Sequence, residues 1–526
     1  MSYIVKQKIG KHIYVYEATN HWDKAKKQPR QTRKYLGRID PETNSFIKTK
    51  GVRGRVGMSV KLKASRDYGN IYLLEEVAKR IGVSHILKAV YPDKWREILS
   101  LAFFTLSLMK PLYLFSEWAS HTYLPNQKEM SSQKVSKLLK ELGEDDRSQN
   151  NFFFTWGENA RDTSSVIFDI TSISSYSELI DLVDWGYNRD KEELPQINLG
   201  MVFGEPSSLP LFYSLYEGSI PDIVTLKNIV LRLNAFNIKS AFFILDRGFY
   251  SKNNIKLLVE NNIDFLMPVP FTTSLSSRII TKHMNTINSP INSFLYRDSV
   301  VFAEESVIEI EGNKFHLFLY LDKSREALEG ERFMKQILEI ESELHYHHKK
   351  KPFNDVDEVK EFINSIKEGY LKYFDIAIKG TNLAIGRRDG LITETMSRMG
   401  KMILITNSEK LGKVEALSTY RRRNEVERIF DAMKNEMDGK RLRSHSAEAA
   451  SGKLFIIFIA TIIYSAIDKL MRENNLYDKY TLNELLEMLT KIRTVELEAG
   501  PVYLTEVSKK ERTIYELLDI NIPGPP

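Results

Sequence analysis

The chain has no cysteine among its 526 residues. That excludes disulfides, thiol nucleophiles and thiolate metal sites, and it suits a reducing cytoplasm. The N-terminal Met1-Ser2-Tyr3-Ile4-Val5-Lys6-Gln7-Lys8 holds no apolar h-region, so no secretory signal is expected. No apolar run reaches bilayer length. The longest, Leu454 to Ile467, spans 14 residues between Lys453 and Asp468 and predicts a buried helix. A G-x-x-x-x-G-K-S/T phosphate loop is absent, so ATP dependence is not indicated. Tryptophan is scarce: Trp22, Trp95, Trp118, Trp156 and Trp185 all lie outside residues 247–426. The run His345-Tyr346-His347-His348-Lys349-Lys350-Lys351 lacks carboxylate or thiol support at ligand spacing. It is read as a basic loop, not a metal site.

What is present is uneven in charge. The formal net charge is +6. Residues 1–66 hold 17 Lys and Arg against four acids, a balance of +13, which leaves the rest at −7. A basic module joined to a neutral-to-acidic body suits nucleic acid, with a solubilising arm as the plain alternative. Short β-like runs (Tyr3–Val5, His12–Tyr16, Thr32–Gly37) and a turn at Asp40–Asn44 make this module β-rich. Its strongly basic stretch, with Lys26, Lys27, Arg30, Arg33 and Lys34, is expected to be a cationic loop on a DNA backbone.

From residue 67 the period turns helical. Leu73, Leu74, Val77 and Ile81 mark one helix, stopped at Gly82. Gly82 to Val90 looks like a helix-turn-helix, but the short second helix carries only Lys88 and is read as packing. Ser131 opens another helix, with Val135, Leu138, Leu139 and Leu142 on its buried side and a lysine face opposite. Beyond about 160 the pattern becomes α/β. Strands are expected at 165–171, 197–204, 209–215, 240–246 and 263–268, with a helix at about 223–235.

Three acids stand out. Asp169 interrupts the apolar run Ser165–Thr171, and Asp246 ends Ala241–Leu245 ahead of Arg247-Gly248-Phe249. A charge inside or at the tip of a buried strand is costly unless paired or metal-bound. For Asp246, capping of the next helix is the simpler alternative. Glu427 lies in the stretch Tyr420–Lys434. At about 100° per residue, Tyr420, Arg423, Glu427 and Lys434 fall within an arc of about 60°. Val426, Ile429, Phe430 and Met433 form a separate apolar stripe. A carboxylate among cations suits a metal ion beside a phosphodiester. The plain alternative is a surface helix with an i,i+4 pair, Arg423–Glu427.

Strand-Asp169, strand-Asp246-Arg-Gly-Phe and helix Tyr420-x2-Arg423-x3-Glu427-x6-Lys434 together resemble the DDE transposases of bacterial insertion sequences. The branch is the one with the Y-x2-R-x3-E-x6-K signature, the insertion-sequence-four-like superfamily. Gly186 to Gly200 and Gly218-Ser219-Ile220-Pro221-Asp222 are also similar to that family. The resemblance covers about residues 160–470.

It implies an α/β fold with a ribonuclease-H-like catalytic core and a β-rich insertion, preceded by a small basic β-rich domain and a helical domain. The expected domains are 1–66 (basic, DNA-binding), 67–155 (helical), 156–270 (first part of the core), 271–414 (β-rich insertion), 415–475 (second part, with Glu427) and 476–526 (an α/β tail with a place in dimerisation). By the same resemblance, Asp169, Asp246 and Glu427 hold two Mg²⁺, with Mn²⁺ as substitute. Tyr420, Arg423, Lys434 and Arg247 contact DNA phosphates. The enzyme cuts DNA at its element's ends and joins the freed 3′-hydroxyl to target DNA, as a homodimer on paired ends, in a bacterial or archaeal cytoplasm without membrane or ATP. Relatives resolve the second strand through a hairpin with an aromatic wedge; here that role falls to Phe or Tyr. The rival readings are an inactive or domesticated DNA-binding protein and a metal-dependent nuclease without strand transfer.

Overall fold

The computed structural model describes the chain except residues 1, 11, 24–27, 41–45, 49–61, 127–129, 160–163, 178–179, 239–241, 381, 445 and 499–500. It divides into two compact units, residues 1–63 with 496–501, and 64–495 with 502–526.

The first unit is a four-stranded antiparallel sheet of Ser2–Ile9, His12–Asp23, Gln28–Ile39 and Phe46–Lys48, in that order. Among its described residues Val15 and Ala18 are the buried hydrophobics. The basic stretch is not mainly a loop. Arg30, Arg33 and Lys34 lie exposed on the third strand, paired across to His21, Ala18 and Glu17. The β-like run Thr32–Gly37 marks the strand's second half; its first part, with Arg30, lacks the apolar alternation that would mark it. Lys26 and Lys27 lie outside the described residues.

The second unit is built on a nine-stranded sheet. Its order is Ser293–Tyr296, Ser299–Ile310, Asn313–Asp322, Lys401–Thr406, Asp264–Pro268, Phe242–Leu245, Ser165–Ser174, Gln196–Glu205, Pro210–Glu217. Ser165–Ser174, Gln196–Glu205 and Pro210–Glu217 form an antiparallel meander. Helix Asp222–Ala235 then leads to Phe242–Leu245, which runs parallel to both Ser165–Ser174 and Asp264–Pro268. Ser165–Ser174 is buried along nearly its whole length, which explains why apolar residues flank Asp169 on both sides.

Stretch 271–414 departs from expectation. Helices occupy more of it than strands: Ser274–His283, Lys323–Lys350, Val356–Ile366 and Asp389–Ser397. Four of its strands complete the central sheet, so it shares the core's hydrogen-bonded framework. The histidine-rich run belongs to the last turns of Lys323–Lys350, where His347 stacks on Phe353 with ring centroids 4.6 Å apart. A cationic C-terminal turn also complements the helix dipole.

Helices Gly69–Arg80 and Val83–Val90 pack as expected, with Gly82 at φ +86 between them. In the tail, Ile514, Tyr515 and Leu518 are buried, and Tyr515 donates to the Gly69 carbonyl at 2.8 Å. Helix Ala447–Glu473 is longer than its apolar run. By length and composition it passes as a membrane span, yet most of it is buried inside the protein. Its Lys453 is enclosed against Asp438 at 2.9 Å, and Asp468 against Arg472. A helix bent by 106°, Trp95–Leu108 with Leu112–Ser120, would pass only if both parts counted as one span.

The long helix meets helix Ser132–Glu144 backbone to backbone. A Cβ on Gly452 would lie 1.9 Å from the Leu139 carbonyl oxygen, and one on Gly143 1.8 Å from that of Glu448. Gly452→Ala gains about 1 kcal/mol of helix propensity. Overpacking costs about 1–3 kcal/mol or more. The clash with rigid backbone should win, so urea unfolding should show a net loss of stability. An alanine variant at least as stable as the parent would remove this contact as a determinant.

Candidate active site

Asp169 sits mid-strand in Ser165–Ser174, and Asp246 directly follows Phe242–Leu245. Phe168 pairs with Leu245 in the parallel register, so the next residue of each chain brings the two carboxylates side by side. Asp246 does not cap a helix with its side chain; Ser251 caps Lys252–Glu260 instead.

The signature stretch is two helices, not one. Lys413–Arg421 ends with Tyr420 in its last turn, and Arg423–Glu436 begins after a single residue, Arg422. The Arg422 N–H bonds back only three residues, to the Thr419 carbonyl, which tightens the junction. Helical arithmetic from Tyr420 therefore does not carry across it. Val426, Ile429, Phe430 and Met433 are buried as their spacing predicts, with Phe430 edge-on to Phe203.

Arg423 is the centre of the cluster. Its guanidinium lies 3.1 Å from Asp169, 3.3 Å from Asp246 and 2.9 Å from Glu427, with the arginine side chain only 11% exposed. Thus three carboxylates from two adjacent strands and one helix converge on one cation. Tyr420 completes the group with a long hydrogen bond, 3.5 Å, from its hydroxyl to Asp246 Oδ1. Asp169 Oδ1 also accepts from the Ile170 N–H at 3.0 Å.

Burial pushes the Asp169 carboxyl up to about 6; Arg423 opposes the rise and Asp246 adds to it. Burial likewise pushes the Tyr420 phenol up to about 12, again with Arg423 opposing. Burial works against the Arg423 charge, but Asp169, Asp246, Tyr420 and Glu427 more than offset it and hold the guanidinium protonated.

Lys434 is elsewhere. It is buried and bonded to both oxygens of Asp190, at 2.9 and 2.8 Å. Burial lowers its pKa and Asp190 opposes the fall. It joins the helix to segment Gly186–Gln196. The same segment is tied by Arg189 to Asp222 and by Glu192 to Arg441, the latter at 2.8 Å. A Cβ on Gly186 would meet the Gly218 carbonyl oxygen at 2.0 Å, so both glycine-bearing motifs fit by close backbone approach.

A cleft of about 430 Å³ opens beside Asp246 and Glu427. Arg247, exposed at its rim, lines it with Arg325, Lys401 and Arg421. The last three were not singled out from sequence. Arg325 and Lys401 lie about 80 and 150 residues beyond Asp246 and reach the cleft only because the sheet continues into that stretch. A larger cavity, about 760 Å³, lies between Asp146–Asn159 and Pro210–Glu217 and contains none of the candidate residues.

Among the described residues no group of three metal-ligating side chains already meets at one coordination point. The donor chemistry nevertheless fits. Three carboxylates around one guanidinium carry a formal charge of −2, and an all-oxygen set suits a hard divalent ion.

A family model described as "Transposase DDE domain" matches residues 161–463, more than half of the chain. None of the curated proteins is similar enough in sequence to match. Among solved structures, the cryo-EM structure of a piggyBac transposase synaptic complex with hairpin DNA is 11% identical, over 80% of this chain and 70% of that chain, with a TM-score of 0.34. A likeness at that level carries no argument about the site.

Proposed function

The chain belongs to the transposase DDE domain family, and on that premise we propose that Asp169, Asp246 and Glu427 are the acidic centre of a metal-dependent DNA transposase of the insertion-sequence type. The observation that carries this reading is the convergence of the three carboxylates on Arg423. The meander followed by two parallel strands supports a ribonuclease-H-like core. The match to Y-x2-R-x3-E-x6-K supports the insertion-sequence-four-like branch.

Asp169, Asp246 and Glu427 would hold two Mg²⁺, or Mn²⁺. Such ions lower the pKa of a bound water or 3′-hydroxyl and stabilise the leaving oxygen. The protein's own groups do the positioning. Arg423, kept charged, exchanges carboxylate partners for a DNA phosphate as the acids take up their ligand. Tyr420, protonated at neutral pH, donates a hydrogen bond near the same point. Arg247 offers a cation at the rim. Lys434 holds segment Gly186–Gln196 against the catalytic helix. Hydrolysis at the element's end frees a 3′-hydroxyl, which then attacks target DNA, with two copies of the chain on paired ends.

The domain division proposed is 1–66 for end recognition, 67–155 as a helical support, and 156–475 as the catalytic body, including the stretch 271–414. Of the tail, residues 476–495 and 502–526 are assigned to the helical support, against which Tyr515 packs, and 496–501 group with the first unit. The direct test is incubation with the inverted repeats flanking the gene, with and without Mg²⁺, and mapping of the ends. Cuts that appear without a divalent ion, or nowhere near the repeats, would reject the reading.

The first unit should carry much of the salt-sensitive affinity. Each phosphate neutralised on duplex DNA adds about −0.9 to the slope of log K against log salt. Replacing Arg30, Arg33 and Lys34 together by Gln should flatten that slope by about 2–3. These side chains are exposed on a strand, so the fold should survive. An unchanged slope would place the DNA path elsewhere.

A further inference from the structure

Arg421, Arg422 and Arg423 are consecutive, and the helix junction turns them in three directions. Arg423 meets the three carboxylates. Arg422 pairs with Glu205. Arg421 meets no carboxylate among the described residues, and its Nε is buried with no hydrogen-bond acceptor. It lines the cleft beside Asp246 and Glu427, and also an adjoining cavity of about 180 Å³ lined by Tyr296, Arg297 and Tyr320. The two spaces share Arg325, Met402, Arg421 and Asn424.

Of the other cations of the two spaces, Arg247 is exposed at the rim, where water serves its donors, and the rest have partners. Arg325 pairs with Glu329 at 2.5 Å, and Lys401 is buried against Glu326 at 3.6 Å. Arg297 stands over the Tyr296 ring at 5.7 Å. A guanidinium without a carboxylate, partly enclosed and turned into a cleft, lacks its anion. Burying such a donor unsatisfied is costly, so an acceptor is expected there in the working state.

We infer that Arg421 forms an anion subsite for a DNA backbone phosphate next to the scissile one, on the strand that leaves the carboxylates toward Arg297. The inference rests on the DNA-cutting reading and adds a residue outside the signature. The guanidinium fork matches a phosphate in two parallel hydrogen bonds, which a lysine ammonium does not reproduce. Arg421 would thereby set the register of the strand over Asp246 and Glu427.

The test uses the full chain and a duplex of about 40 bp carrying the inverted repeat, in Mg²⁺-free buffer, with single methylphosphonates placed in turn on either side of the cut. Arg421→Gln should bind the unmodified duplex about tenfold more weakly, with a salt slope shallower by about one. Neutralising one particular phosphate should cost the wild type about tenfold and the variant nothing further. Arg421→Lys should recover the slope but only part of the affinity. Equal losses in both proteins at every phosphate, or an Arg421→Gln variant with wild-type affinity and slope, would overturn the subsite alone. So would Arg421-dependent binding of inorganic pyrophosphate with duplex affinity unchanged, which would make the site one for a free anion. A wild-type protein that neither binds nor cuts the repeat would overturn the DNA reading and the subsite with it.

Discussion

Asp169→Asn, Asp246→Asn and Glu427→Gln should each lower Mg²⁺-dependent DNA cleavage by more than about 100-fold, while end binding without metal stays within a few-fold. Loss of a group that merely orients a metal ligand costs about 10–100-fold, and loss of a ligand itself should exceed that. The three amides keep the shape of the acids, so packing is nearly preserved. Asp169→Asn separates catalysis from folding most sharply. Burial raises the Asp169 carboxyl to about 6 despite Arg423. Its ionised form therefore costs the metal-free protein stability at neutral pH, by the linkage between folded and unfolded pKa values. The asparagine variant should cut no DNA yet unfold in urea no more easily than the parent at about pH 8. A function-bearing charge held against stability is a familiar compromise at active sites. Near wild-type cutting by any one variant would remove that residue from the site.

Arg423→Gln should have the largest effect on stability, and the effect should depend on pH. Arg423 is the shared partner of Asp169, Asp246 and Glu427. Removing one member of a buried ion pair costs about 3–5 kcal/mol, because the remaining charge is left uncompensated. The Asp169 carboxyl is raised in the folded state, and loss of the guanidinium, which opposes that rise, will raise it further. For a raised carboxyl, stability is fully present below the unfolded value, about 4, and is lost as pH rises through the folded value. The window is thus about 4 to 6 for the parent and extends higher for the variant. Urea unfolding should show a large deficit near pH 8 and a much smaller one near pH 5, where Asp169 can take up a proton. The variant should also bind Mn²⁺ more tightly by calorimetry, since three carboxylates are no longer shared with a guanidinium. Equal deficits at both pH values, with no gain in Mn²⁺ affinity, would reduce Arg423 to an ordinary packing residue.

Much of the framework was legible along the chain. The apolar run on either side of Asp169 marked a buried strand, and Ser165–Ser174 is buried on both faces. The stripe Val426, Ile429, Phe430 and Met433 marked the buried side of its helix. Ser131 caps the helix it was expected to open, accepting from the Lys134 N–H. In each case a local period fixes which way a side chain points, and burial rewards that direction. The three acids could be singled out for the same reason, since a charge breaking an apolar pattern is conspicuous.

What the sequence determined by itself was therefore the periodic elements, the placement of Asp169 within a strand, of Asp246 at a strand's tip and of Glu427 on a helix, and the concentration of basic charge in residues 1–66. Only the tertiary structure decided which charges meet. Four signature residues at matched spacing divide into three in the acidic cluster, Tyr420, Arg423 and Glu427, and one, Lys434, closed on Asp190. Three neighbouring arginines divide among Glu205, the acidic trio and an empty-handed place in the cleft. Strands from 271–414, more than 100 residues from Asp169, extend the same sheet and line the cleft. The reason is physical: periodicity sets a residue's direction over a few ångströms of its own element. The pairing of charges depends on through-space distance and on the water each must lose, and both are properties of the packed chain.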